Sequence, residues 1–264
     1  MADWKPSKIL RIVNILNSTS MQPLLAKTDE GLALVKYMGN RQGDISLVCE
    51  LIGSAIARLV GLRTPDYCIL NCPEFQHHVL TKATTNDPAF ATRWLDTATT
   101  ASLSENLFGK LRDRNDIAKL IAFDTLVKNT DRFSEYDDSN CDNLLIVPDR
   151  RKTSLVVIDH GHIIIDPYQT EISIDANEWP NEEKIYGYHP LFATFLNQSS
   201  VDHALEAIEQ VDRSSLEPIF SSIPRVWGIS DTELDNLANC MECRARNMKD
   251  WFKSSILDQQ EFNF

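Results

Sequence analysis

Asp131, Asn143 and Asp159 are the residues whose types and surroundings could do chemistry together. Asp131 stands in Asn129-Thr130-Asp131-Arg132, just past an apolar helical run. Asn143 opens Asn143-Leu144-Leu145-Ile146, and Asp159 follows Val156-Val157-Ile158 and leads into His160-Gly161. Two hydrophobic strands would each present one oxygen-bearing side chain at an end, with a further carboxylate in a loop. An aspartate that orients a hydroxyl proton, beside an asparagine and an aspartate that share a hard divalent cation, is the set used in phosphoryl transfer from Mg-ATP.

The separation is unusual. Positions 131 and 143 lie 12 apart, where catalytic loops of this chemistry leave about five. The extra stretch holds Glu135, Asp137, Asp138 and Asp142, so a distorted or regulated site is one expectation. A second is that acidic residues beside phosphates repel them unless they point away or hold a cation.

Elements must position these groups. In Leu32-Ala33-Leu34-Val35-Lys36-Tyr37, alternation aims the Lys36 ammonium along the inward face of a strand. Turn residues at 39–43 precede Asp44, expected to cap a helix whose apolar stripe runs through Leu47, Leu51, Ile52, Ile56 and Leu59 to a stop at Gly61. Glu50 flanks that stripe and could fix Lys36 against phosphates. Short strands are expected at Tyr67–Leu70 and at His77–Thr81, then a polar hinge at 84–88. Beyond it the pattern is mainly helical. Asp116 is expected to cap Ile117–Lys128, which delivers the chain into Asn129, and Asp231 to cap a late helix whose Arg244, Arg246 and Lys249 favour its end. Residues 166–190 lack periodicity, and their Trp179, Tyr186 and Tyr188 read equally as a substrate-recognition segment or as anchors on the core.

Composition narrows the partners. The chain has 264 residues, 38 acidic against 26 basic side chains and a formal net charge of -12, which leaves no overall footprint for nucleic acid or anionic membranes. The N-terminal stretch has no signal-peptide core and no run approaches a membrane span, so a cytoplasmic protein is expected. Cys68 with Cys72 and Cys240 with Cys243 could be halves of a zinc site, but buried reduced thiols are the plainer reading. Asp138, Asn140 and Asp142 alternate as in a calcium loop, yet Asn143 stands where the turn glycine belongs. His160 and His162 flank Gly161 without an evident third ligand.

Taken together, Phe123 to Arg132, Asn143 to Ile146, Val157 to Gly161 and Ile223-Pro224-Arg225-Val226-Trp227-Gly228-Ile229 resemble the HipA-like kinases, with a distant likeness to phosphatidylinositol kinases. Leu34-Val35-Lys36, Glu50-Leu51 and Leu62-Arg63-Thr64-Pro65 extend the resemblance over most of the chain. It implies an α+β, bilobal protein-kinase-like fold: a small strand-rich N-lobe with one helix over residues 1–83, and a mainly helical C-lobe over 84–264. It also implies ATP and Mg2+, with Asp131 as catalytic base, Asn143 and Asp159 as metal ligands, and Lys36 with Glu50 on the phosphates. Ser18-Thr19-Ser20 matches the phosphate-loop segment, where hydroxyls could contact ATP or take phosphate themselves, although no glycine lies there. His160 matches the aromatic position after the metal aspartate, and the segment at 83–85 would face adenine. The implied reaction is transfer of the ATP γ-phosphoryl group to a protein serine or threonine. A neutralising or regulatory protein partner is compatible with the family, and the alternative is a pseudokinase that binds nucleotide without transfer.

Overall fold

A computed structural model describes residues 4–17, 19, 21–71, 87–100, 105–133, 143–164 and 178–261. Its first half is an antiparallel sheet in the order β1-β2-β3-β5-β4, from Ile9–Ile15, Leu24–Thr28, Gly31–Lys36, Tyr67–Leu70 (β4) and Ala89–Arg93 (β5). Ala33 and Val35 of β3 point into a small apolar core with Trp4, Leu24, Ala26 and Tyr37. The opposite face of β3, carrying Leu34 and Lys36, turns to a cleft, so the inward side of the lysine strand is the cleft side.

Helix α1 (Ile45–Leu59) follows β3, as its apolar spacing dictates, and ends where Gly61 takes φ +79°. The Asp44 side chain caps nothing: its backbone is already helical, and its carboxylate accepts the Gly39 N–H at 2.6 Å. A second sheet, β6-β7-β8, is built from Thr99–Thr100, Leu144–Asp149 and Lys152–Val157. Residues 94–98 carry the chain from the first sheet to the second. The His77–Thr81 strand, the 84–86 part of the hinge and Ala83 lie outside the described residues, and the first sheet extends beyond that position to Arg93.

The helical half comprises α2 (Glu105–Phe108), α3 (Asn115–Leu126), α4 (Gln198–Ile208), α5 (Arg213–Ser221) and α6 (Asp231–Glu261). Asp116 sits inside the first turn of α3 and pairs with Lys119 rather than capping. For α6 the cap is Ser230: its hydroxyl accepts the Glu233 N–H at 3.2 Å while Glu233 reaches back to the Ser230 N–H at 2.8 Å, a capping box. One continuous core joins α1 to α3, α4 and α6. The late Pro224–Gly228 turn buries Trp227, whose indole N–H donates to the Pro88 carbonyl at 2.9 Å.

Arg244 lies in mid-helix, because α6 runs far past the expected end. It is fully buried and donates to the carbonyls of Thr125, Trp179 and Glu182 at 2.6–2.9 Å. Trp179 and Tyr186 are buried beside it, so the described part of the aperiodic segment, from Glu178 on, is anchored to the core. No helix among the described residues is long and apolar enough to cross a membrane.

Candidate active site

A cleft of about 370 Å3 lies between the two sheets, within the ~300–1,000 Å3 of small-molecule sites. Leu34 and Met21 cover one side, Leu145 and Val157 the other, and the 94–98 crossing closes the back through Trp94, Leu95 and Ala98. Lys36, Glu50, Asn143 and Asp159 all line it. Thr19 lines it too, from the turn between β1 and β2, while Ser18 and Ser20 lie outside the described residues. The 83–85 segment expected at adenine is also outside them; the backbone that does border the cleft is the crossing after β5.

Lys36 is buried and shared. Its ammonium forms a close ion pair with Glu50 and a second with Asp159 at 2.9 Å. Burial opposes the charge, but the attraction of Asp159 and then of Glu50 outweighs it, so the lysine pKa rises above its ordinary value. Burial pushes the Glu50 carboxyl up to about 7 against the pull of Lys36. Burial also opposes the Asp159 charge, yet Lys36 holds that carboxyl below the usual range. Glu50 further accepts the His160 N–H at 3.1 Å, which ties α1 to the turn carrying Asp159.

That turn is specified by contacts. Asp159 adopts φ +58°, a left-handed conformation that aspartate tolerates better than most residues. The His160 ring packs edge-on to Phe123 at 5.5 Å and against Gly53 of α1, where an added Cβ would fall 2.5 Å from the imidazole Cγ. Among the described residues neither ring nitrogen of His160 has a hydrogen-bond partner, and burial holds its pKa well below normal. It therefore serves as a neutral aromatic wedge. His162 points elsewhere, to the Gln42 side chain at 2.8 Å.

Asp131 and Asn143 meet directly. The Asn143 amide donates to Asp131 Oδ2 at 2.9 Å, and the Asp131 N–H donates to Asn129 Oδ1 at 3.1 Å. Beneath them is a network that sequence reasoning missed. Asp124, fully buried at the end of α3, accepts from Asn129 Nδ2 and from Arg132 Nε, each at 2.8 Å, and Arg132 Nη1 donates to the Asn143 carbonyl at 2.6 Å. Burial raises the Asp124 pKa while Arg132 opposes the rise. The Ile158 N–H also donates to the Asn143 carbonyl, at 3.2 Å, so the ends of β7 and β8 are held side by side. The 12-position separation is thus closed at its base; residues 134–142, including the calcium candidates, lie outside the described set.

The donor chemistry fits a hard cation. With its amide nitrogen committed to Asp131, Asn143 keeps its carbonyl oxygen as an acceptor, and the Asp159 side chain is 39% exposed toward the cleft. No group of three or more His, Cys, Asp or Glu placed to hold a metal occurs among the described residues. Mg2+ needs none, since it binds through one or two protein oxygens, phosphates and water. Of the zinc candidates, Cys68, Cys240 and Cys243 are in no disulfide, Cys243 is exposed, and Cys72 lies outside the described residues.

The Helicobacter pylori proinflammatory kinase CtkA is similar in structure over 97% of this chain and 97% of its own, with a TM-score of 0.59 at 13% identity. A chain of the Shewanella oneidensis toxin–antitoxin complex of HipA, HipB and operator DNA matches over 98% of this chain and 69% of its own, with a TM-score of 0.49 at 10% identity. No curated protein matches significantly. The model of the HipA-like kinases matches residues 9–255, a span that holds the lysine strand, its glutamate helix and the Asp131, Asn143 and Asp159 turns, and the chain belongs to that family.

Proposed function

We propose that the chain transfers the γ-phosphoryl group of ATP to a serine or threonine hydroxyl of a protein. The observation that carries this reading is the convergence of Lys36, Asp159, Asn143 and Asp131, drawn from four separate segments, on one cleft and its floor. Lys36, charged across the physiological range, neutralises phosphate oxygens, and Glu50 holds it in place. Asp131, oriented by the Asn143 amide and by its own N–H on Asn129, accepts the proton of the attacking hydroxyl. Asn143 and Asp159 are the residues that would hold Mg2+, which when bound neutralises charge developing on the phosphates. Leu34, Leu145 and Val157 offer apolar faces to a purine, and backbone groups near Trp94 and Leu95 its polar edge. Thr19, at the mouth, is the described hydroxyl of the candidate phosphate loop, and autophosphorylation near Ser18–Ser20 belongs to the same reading.

The pseudokinase alternative drew on the long separation between Asp131 and Asn143. The bonds from Arg132 and Asn143 across the base of that excursion favour an active site over it. The test combines a thermal shift with Mg-ATP and a radiolabel transfer assay on self and lysate proteins. Wild type should be stabilised and should transfer; Asp131→Ala should be stabilised equally and should transfer nothing. Full transfer by Asp131→Ala would defeat the assignment, and stabilisation of wild type without transfer would favour the binding module.

A further inference from the structure

In a chain with 38 carboxylates, one surface keeps cations without partners. The tight turn between β7 and β8 carries Arg150 and Arg151, and β8 opens on Lys152, all exposed, with Arg150 at φ +57°. The loop before α3 is stitched alongside: Arg112 N–H donates to the Thr153 carbonyl at 2.8 Å and Thr153 N–H to the Lys110 carbonyl at 3.1 Å. Arg63 lies further along the same free edge of β8, where its carbonyl accepts the Val157 N–H at 2.8 Å. Two open concavities of about 440 and 580 Å3 result, sharing Arg112 and Asp149. Arg112 pairs with Asp149 at 2.6 Å, and Lys119 with Asp113 and Asp116 at 3.4 Å. Among the described residues Arg63, Arg150, Arg151 and Lys152 have no carboxylate within ion-pair distance. Arg63 is attracted by Asp116, whereas holding Arg150, Arg151 and Lys152 together at one hairpin end is unfavourable for the isolated chain and favourable once an anion is shared.

The geometry points to a docking surface for an acidic segment of a partner protein. Carboxylates rather than a phosphate backbone suit it, because Asp149 and Asp113 are interleaved with the cations. A continuous chain of phosphates would meet those acids, whereas side-chain carboxylates on a peptide can be spaced between them. Apart from this surface the chain is strongly acidic, which adds repulsion for an extended polyanion. The surface lies at the far end of the same hairpin whose near end is flanked by Asn143 and Asp159, and binding there requires neither nucleotide nor transfer.

The test is fluorescence anisotropy of a labelled dodecapeptide alternating glutamate and serine, against its glutamine counterpart, with the full chain and no nucleotide. Saturable binding of the glutamate peptide alone is expected, weakening as salt rises. Arg151→Glu/Lys152→Glu and, separately, Arg63→Glu should each weaken it about tenfold or more with unchanged melting temperature, while Arg246→Glu/Lys249→Glu on α6 should not. Equal binding of the glutamine peptide, equal weakening by the α6 variant, or no effect of either surface variant would overturn the proposal. So would oligothymidylate of matched charge that binds more tightly and displaces the peptide.

Discussion

Arg132 Nη1 donates to the Asn143 carbonyl at 2.6 Å while its Nε donates to the buried Asp124 carboxylate at 2.8 Å. One guanidinium therefore couples the end of α3 to the start of β7. Arg132→Met would leave Asp124 charged and unpaired in a dry interior, a loss of about 3–5 kcal/mol. Urea melts should show that drop. Arg132→Lys should recover part of the stability but less of the phosphate transfer, because an ammonium cannot span both acceptors in the fixed geometry of the fork.

Lys36 has two carboxylate partners, and removing it exposes their mutual repulsion. Lys36→Met should lower transfer at least about a hundredfold, the scale seen when a charge-stabilising donor is lost. It should also destabilise the chain. Adding Glu50→Gln should restore stability without restoring activity, a dissociation that paired melts and initial rates would read.

Gly53 matters through what it leaves room for. Gly53→Ala would drive a methyl into the His160 ring and cost about 1–3 kcal/mol of overpacking. Since His160 follows Asp159, the displaced turn should weaken Mg-dependent nucleotide binding as well. Titration of ATP with and without Mg2+ separates the two effects.

His189 accepts the Leu191 N–H through Nδ1 at 3.2 Å and packs on Phe133 at 5.4 Å, two residues after Asp131. Partial burial lowers its pKa from 6.5. A depressed histidine pKa means the unfolded chain takes the proton more readily. The contribution is full above the unfolded value and lost as pH falls below about 6.5. His189→Asn keeps a capping acceptor that does not titrate, so its melting temperature should fall less than that of wild type between pH 7.5 and 5.5.

What the residues disclose in advance depends on how local the governing force is. Helix α1 is legible because Leu47, Leu51, Ile52, Ile56 and Leu59 recur at three and four. Strands β7 and β8 are legible because each contains an unbroken apolar run, residues 144–147 and 155–157. Strand β1 is not, since irregular register after Ile9 and Ile12 breaks its alternation into pairs, and β5 is a short Ala-Phe-Ala-Thr-Arg without a strong strand pattern. Caps misread at Asp44, Asp116 and Asp231 share a cause: each carboxylate goes to a neighbouring donor, the Gly39 N–H, the Lys119 ammonium or the Arg225 guanidinium, instead of the first-turn amides. The Asp124–Arg132 pair did leave a signal, a carboxylate among the apolar positions of α3. Such a group must find a cation, but only the bend after Lys128, at φ +51°, shows that the cation is eight residues on.

The bond from the Trp227 indole to the Pro88 carbonyl spans 139 positions and fastens the entrance of β5 to the helical half. Breathing of the cleft between the sheets is thereby deprived of a free pivot at that corner. Rotation of one sheet over the other must be absorbed by the short crossing at 94–98, which makes that crossing the place where stiffening by proline should slow the exchange of nucleotide.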